Sequence, residues 1–364
     1  MRNILLILAM LFSLEMFAQD VYIPNPNFLI ELIEYDADIN KDGKIQVWEA
    51  EARQSLTIME GLTDFTGLEA FKNLTYLNIS NNYATNLDLS NLTKLTNLNL
   101  SGNSLKSLDL SKNTLLDTLQ IKYLKIDTIT LSQLPNLKYF DATLTVLKNL
   151  DVTQNTQLKD LRIGGTFISF VDLKNNPDLE IFFSNSTPIS SIDFSKNTKL
   201  NTIILAKNIL TELNVDNNVN LTFLDCSNNQ LSKLSIINNT KLEQFNAKSN
   251  PNLSTICTFD TLLMANKQFE KDVTTNWDMA CKKVDGLGFE IESTKVLFYP
   301  NPFENEFNID ASVVNLKVYN VFNQVLIETD FIQDEQVLSL KSGVYGFVFT
   351  DVNGKVFFQK IVKK

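Results

Sequence analysis

Leucine returns along this chain at a constant interval. Positions 74, 95, 116, 137, 158, 179, 200, 221 and 242 are all Leu, each 21 residues after the last. One step further back stands Arg53, with Leu56 and Ile58 in phase, so ten units run over about residues 53–262 without an insertion. Within a unit the apolar positions fall at offsets 0, 3, 5, 10, 13 and 15; from Leu95 these are Leu95, Leu98, Leu100, Leu105, Leu108 and Leu110. Alternation at offsets 3 and 5 predicts one short strand, and at 13 and 15 a second. A single coil cannot bury its apolar side, but stacked coils close a common core. At roughly 4.8 Å per strand spacing, ten coils would extend roughly 48 Å. No unit carries the i, i+3, i+4, i+7 run of an amphipathic helix. The pattern predicts a mainly β solenoid with two short strands per 21-residue coil.

Polar residues mark the corners. Offset 8 holds Asn82, Asn103, Asn208, Asn229 and Asn250, with Thr145, Thr166 and Thr187 between them. Offset 18 holds Asn113, Asn155, Asn176, Asn197, Asn218 and Asn239, with Leu92 and Leu134 as exceptions. Inward amides at these places can bond turn backbone groups in their own coil and the next. Losing an inner one, as in Asn197→Leu, is expected to cost about 1–3 kcal/mol by leaving buried amide groups unpaired. Offset 14 carries Asp88, Asp109, Asp151, Asp172 and Asp193. The LDLS context reads as turn-bonding, solvated Asp rather than as a cation site.

Ahead of the coils, residues 38–49 read DINKDGKIQVWE and fit the loop of an EF-hand, D-x-[DN]-x-D-G-x5-E. Asp38, Asn40 and Asp42 take the first, third and fifth places, and Gly43 makes the sharp turn. The Lys44 carbonyl would be the seventh ligand, Gln46 the ninth and Glu49 a bidentate twelfth. A helical pattern precedes the loop (Phe28, Leu29, Leu32, Ile33), and a shorter one follows from Trp48 to Leu56. One Ca2+ is expected here. A sensor pairs two hands around an apolar groove; a single hand beside the first coil would instead stiffen a small helical N-terminal cap at 19–52.

Composition narrows the chemistry. His is absent, which removes His-ligated metals and Ser-His-Asp or Cys-His catalysis. The net charge of −10 argues against nucleic-acid and anionic-membrane partners. Residues 1–18 (MRNILLILAMLFSLEMFA) have a basic start, an apolar run too short to span a bilayer and a small closing residue, the pattern of a signal peptide cleaved before Gln19. Three Cys are too few for a disulfide framework. Cys257 and Cys281 flank the stretch that breaks the period, 257–282, which reads as a C-terminal cap. In an exported protein they are expected to form a disulfide contributing about 3 kcal/mol. Cys226 falls at a core offset and reads as a buried thiol.

After a linker at 283–295 the character changes. Short strands rich in Val, Phe and Tyr alternate with turn signals at Pro300-Asn301-Pro302, Ser342-Gly343 and Asn353-Gly354, predicting a small antiparallel β-sandwich over 296–364. The run YPNPF at 299–303, VYN at 318–320, LKSGVY at 340–345 and the basic tail at 360–364 resemble the type A C-terminal sorting domain of the type IX secretion system of Bacteroidota. Asn323 stands where that family usually has Gly. The resemblance implies recognition by the outer-membrane export machinery. The coils resemble the leucine-rich repeat family, in the short form with a second strand on the back found in many bacterial surface proteins. The segment over about residues 23–52 is similar to the piece that precedes such repeats in exported relatives.

On the first strand, offsets 2, 4 and 6 face outward and are mostly polar. Ile181, Phe183, Ile204 and Phe223 break that rule within two coil spacings, with Tyr139, Asp141, Asp160 and Arg162 just upstream. An aromatic-aliphatic patch with a charged rim is expected to be the contact face for a protein partner. The expected function is non-enzymatic binding or adhesion, secreted or on the outer cell surface. A glycan ligand is the alternative, with Tyr76 and Tyr139 as platforms. Carboxylate-based hydrolysis needs a cleft and two contrasting environments, which a regular rod does not offer.

Overall fold

The computed structural model describes residues 19–258 and 267–278, and further on the segments 298–299, 308–309, 313–319, 325–329, 339–351 and 356–363 with Val337. The expected signal peptide, the linker and Cys281 lie outside the described residues. The chain divides into two compact units, residues 1–276 and 277–364.

The first unit opens with helix α1, Pro26–Glu34. Asn25 caps it, its side-chain oxygen accepting the N–H groups of Asn27 and Phe28 at 3.0 and 3.3 Å. Proline at the start supplies a helical φ where no amide donor is needed. The helix buries Phe28 and Leu32, and Phe28 meets Phe65 edge-on at 5.4 Å. After the loop comes α2, Val47–Ala52, started by a capping box between Gln46 and Glu49. The second helix stops short of Leu56 because Arg53 turns extended and leads into the first coil.

Each of the ten units then supplies one three-residue strand. These are β1 (Ser55–Thr57), β2 (Tyr76–Asn78), β3 (Asn97–Asn99), β4 (Thr118–Gln120), β5 (Tyr139–Asp141), β6 (Asp160–Arg162), β7 (Ile181–Phe183), β8 (Thr202–Ile204), β10 (Phe223–Asp225) and β12 (Gln244–Asn246). They pair in parallel, like position on like, so that Leu98, Leu119, Phe140, Leu161, Phe182 and Ile203 stack as one buried row. β14 (Gln268–Glu270) extends the sheet to eleven strands. The segment expected only to close the stack therefore continues it.

The back differs from the expectation of two strands in every coil. A second sheet forms among the described residues only at the far end, from β9 (Glu212–Asn214), β11 (Lys233–Ser235), β13 (Thr255–Cys257) and β15 (Asn276–Asp278), with β9, β11 and β13 parallel. Offset 14 is one difference between the two regions. Five of the earlier coils carry Asp there and a sixth Thr130, and each Asp turns its carboxylate onto its own chain: the N–H groups of Ser90, Ser111, Thr153, Lys174 and Ser195 bond Asp88, Asp109, Asp151, Asp172 and Asp193 at 2.8–3.1 Å. Like charges stacked on neighbouring strands oppose pairing. Asn214 and Ser235 take the place where the ladder forms. These bonds also settle the Asp row as turn chemistry. Asp88, Asp109 and Asp193 are held below the usual carboxylate range first by the backbone N–H of Ser90, Ser111 and Ser195.

Both Asn rows point inward and are buried, but they do different things. At offset 8, Asn229 donates to the carbonyls of Leu205, Cys226 and Ser227 while its own oxygen accepts the Leu210 N–H. At offset 18, Asn197 donates to Leu173 at 3.0 Å and Asn176 at 2.8 Å, and Asn176, Asn218 and Asn239 repeat the arrangement.

In the second unit, β16 (Phe298–Tyr299) pairs antiparallel with β17 (Asn308–Ile309). β18 (Val313–Tyr319), β19 (Val325–Thr329), β20 (Gly343–Asp351) and β21 (Val356–Lys363) form a four-stranded antiparallel sheet in the order β19-β18-β20-β21. Where a sandwich was expected, the described strands make this one sheet and the separate pair.

Candidate functional site

A parallel sheet with one residue of each strand buried leaves two columns of side chains facing out. One column runs Tyr76, Asn97, Thr118, Tyr139, Asp160, Ile181, Thr202, Phe223, Gln244; the other runs Asn78, Asn99, Gln120, Asp141, Arg162, Phe183, Ile204, Asp225, Asn246. Ile181, Phe183, Ile204 and Phe223 are therefore neighbours on three successive strands, and all four are half-buried. Phe183 pairs with Ile204 on one side and Arg162 on the other.

The Phe183 ring has a seat. Gly164 is not in the left-handed region, so its backbone would accept other residues; a Cβ there would collide with the Phe183 ring edge and with Asn185 Oδ1. A missing side chain on one coil thus accommodates the aromatic ring of the next. Gly165, at φ +68°, lies under the Leu144 side chain.

Upstream of the patch the charged residues satisfy one another. The Arg162 guanidinium grips the Asp160 carboxylate with two bonds of 2.9 Å and lies 5.8 Å from the centre of the Tyr139 ring. Tyr139 O–H donates to Asp141 at 3.3 Å, and Lys122 reaches the same oxygen at 3.8 Å. Burial, reinforced by Asp141, pushes the Tyr139 hydroxyl up to about 12. Burial also raises Asp160 against the pull of Arg162. This is a rigid charged rim beside a hydrophobic step.

Further apolar side chains are exposed outside offsets 2, 4 and 6 and were not anticipated. Tyr123 and Leu144 occupy offset 7, and Tyr83, Phe167 and Ile209 offset 9; all five are exposed. Offset 7 is left-handed throughout, from Asn81 to Ser249; from Asn81 to Asn228 each N–H there bonds a carbonyl of the next coil, as Tyr123 to Thr143 and Leu144 to Gly164, and the Ser249 N–H bonds the Asp272 carboxylate. Asn81, Gly102, Gly165 and Asn228 suit that backbone, whereas Tyr and Leu are strained in it by about 1–2 kcal/mol. Asn or Gly at four of these nine positions is the signal that marks the row as a left-handed turn.

The cap loop holds its residues together through its own amides. Asp38 accepts the N–H groups of Asp42 at 3.1 Å and Gly43 at 2.8 Å. Asn40 Nδ2 and Gln46 Nε2 both point at the Asp42 carboxylate, at 3.2 and 3.0 Å. Glu49 is fully buried, and its two oxygens accept the N–H groups of Ile39, Asn40 and Gln46. Among the described residues no three His, Cys, Asp or Glu side chains are grouped closely enough to hold a metal ion. The donor set still suits a hard cation in kind. Two amide nitrogens stand at the Asp42 carboxylate where a cation's charge would act, and turning both amides over presents their oxygens instead. Glu49 would have to exchange backbone bonds for metal. Lys44 faces out to Asp20 at 2.6 Å, and that ammonium holds the Asp20 carboxyl below its usual range.

A second strand segment, invisible in the sequence, completes this loop. Val21 N–H bonds Ile45 O at 2.7 Å, and Val47 N–H bonds Gln19 O at 2.9 Å, so residues 19–21 lie antiparallel to the loop's exit. At the other end Cys257 is disulfide-bonded, with its expected partner Cys281 outside the described residues, and Cys226 is buried and free, its thiol pushed up by burial.

The model of the secretion system C-terminal sorting domain family matches residues 297–364. No curated protein matches the chain. Among solved structures, the functional domain of InlJ from Listeria monocytogenes is 21% identical with a TM-score of 0.58, over 88% of this chain and 93% of that one. An internalin, InlF, of the same species is 22% identical with a TM-score of 0.52, over 68% and 95%. A leucine-rich repeat protein of Leptospira interrogans is 18% identical with a TM-score of 0.50, over 65% and 69%. At these identities the likeness is one of fold. Among the described residues no helix is long and apolar enough to cross a membrane. The coils have the leucine-rich repeat solenoid fold of these structures, and the sorting-domain match at residues 297–364 indicates secretion through the type IX secretion system to the cell surface or beyond.

Proposed function

We propose that the solenoid is a non-enzymatic protein-binding or adhesion module, and that its partner seats on Ile181, Phe183, Ile204 and Phe223 with Tyr139 and Arg162 at the rim. The supporting observation is the concentration of four large apolar side chains on three adjacent strands of an otherwise polar outward face. Apolar anchors ringed by polar groups are where binding energy concentrates. The test is the secreted chain carrying Phe183→Asp and Phe223→Asp, offered to surface proteins and glycans from the organism's natural neighbours. Loss of roughly 30-fold or more in affinity is expected for each anchor, with the melting temperature kept. Undiminished binding by a folded double variant would remove the proposal.

The cap loop is proposed to take one structural calcium ion through Asp38, Asn40, Asp42, Gln46, Glu49 and the Lys44 carbonyl. It supports the binding face by closing the first coil. Calcium at a hundredfold excess over its dissociation constant should stabilise the chain by about 2.7 kcal/mol, and Asp42→Ala should abolish the gain. An unchanged melting temperature in saturating calcium and in EDTA would rule the ion out.

A further inference from the structure

We infer that the partner meeting this face presents a lysine or arginine beside a large apolar side chain, with the cation on Asp225 and the apolar group on Phe183, Ile204 and Phe223. The inference rests on the binding-face reading above and deepens it. Four carboxylates lie in the two outward columns: Asp141, Asp160, Asp225 and Glu270. Three are paired within the chain: Asp141 with Lys122, Asp160 with Arg162 at 2.9 Å, and Glu270 with Lys248 at 3.0 Å. Asp225 enters no ion pair among the described residues. One of its oxygens accepts the Ser227 N–H at 3.0 Å, which fixes the carboxylate without neutralising it.

Its position is the second observation. Asp225 pairs with Ile204 across the ladder and with Asn246 on the far side, and shares its own strand with Phe223. It is the negative edge of the apolar patch, while the opposite edge is the self-satisfied Arg162–Asp160 pair. An arriving cation would not have to displace a resident one. Closing apolar groups over the contact lowers the local dielectric and strengthens the new pair. An acidic partner would meet Asp225 and a chain of net charge −10, both repelling it. The seat at Gly164 sets the geometry, because it lets the Phe183 ring lie against the preceding coil, and Ile204 and Asp225 beyond it are both only half-buried.

The experiment pans a random-peptide phage library on the immobilised full chain, with Asp225→Asn, Asp225→Lys and Phe183→Asp chains in parallel. Asparagine retains an oxygen for the Ser227 N–H, so Asp225→Asn removes the charge and keeps the turn. Peptides selected on the natural chain should carry Lys or Arg next to an aromatic or large aliphatic residue. Their affinity should drop about tenfold or more on Asp225→Asn, further on Asp225→Lys, and be lost on Phe183→Asp. Replacing the peptide's own basic residue with Gln should weaken binding to the natural chain and change nothing further on Asp225→Asn. If Phe183→Asp does not fold, Gly164→Ala, which forces the ring off its seat without adding charge, takes its place. Peptides that need Phe183 but show no basic preference, or ignore Asp225→Asn, overturn the inference and leave the binding face standing. The absence of any Phe183-dependent peptide overturns both.

Discussion

Phe182→Ala should destabilise the solenoid by about 3–5 kcal/mol, the range for truncating a buried phenylalanine. Phe182 sits at the centre of β7 with none of its surface exposed. It meets Phe194, from the back of the same coil, edge-on at 5.4 Å and 68°. The two rings fill a coil interior that a mixture of Leu, Ile, Val and single Phe residues fills elsewhere, and the edge-on contact itself is worth about 0.5–1.5 kcal/mol. A rod cannot close the gap by shifting one coil, because β7 is hydrogen-bonded into the ladder on both sides. The measurement is urea unfolding followed by fluorescence of Trp48 and Trp277, the only two tryptophans, which stand near the two ends of the coils. Both should shift to lower urea together. A shift below about 1 kcal/mol would mean that the interior is loosely packed.

Replacing Asn176, Asn197 and Asn218 together with Leu should cost about 3–9 kcal/mol, at roughly 1–3 kcal/mol for each amide with its two bonds. The structure changes the reason for that cost. The carbonyls that Asn197 serves, Leu173 and Asn176, keep a backbone donor each, from Asn176 N–H at 3.0 Å and Leu179 N–H at 3.2 Å. Leucine therefore removes two hydrogen bonds per coil and orphans neither carbonyl. Leu92 and Leu134 show that the corner can be packed instead. Each backbone carbonyl of the row receives the next side-chain amide, Asn197 from Asn218 and Asn176 from Asn197, while the buried side-chain oxygens of Asn176, Asn197 and Asn218 accept no hydrogen bond, so the side-chain amides are not linked into one polarised chain. Unfolding of the single Asn197→Leu chain and of the triple would measure the difference. A triple costing no more than the single variant would show that the corner amides contribute little.

The candidate site was partly legible. The patch of Ile181, Phe183, Ile204 and Phe223 followed from period alone, because a parallel ladder with a constant 21-residue repeat fixes which residues are neighbours. Gly164 gave no sign of its role, since a collision between residues 19 positions apart depends on where a ring lies. Tyr123 and Leu144 were hidden because offset 7 is a turn position, outside any strand alternation. The pairing of residues 19–21 with the cap loop had no pattern at all; it joins two short segments, centred on Asp20 and Gln46, by backbone bonds that do not depend on side-chain type.

What the amino-acid sequence determined by itself is whatever repeats: the coil, the buried Leu row, both Asn corners and the outward columns. Each follows from a local period, and the same local solution recurs until it becomes unmistakable. The tertiary structure decided what depends on one coil differing from the next. It limited the second sheet, among the described residues, to the far end of the coils. It continued the stack through the closing segment, and it left Asp225 as the outward-column carboxylate without a cation among the described residues. Such differences are invisible to a period because their energies come from contacts between coils, where charge repulsion and ring packing are set by whichever residue happens to lie next door.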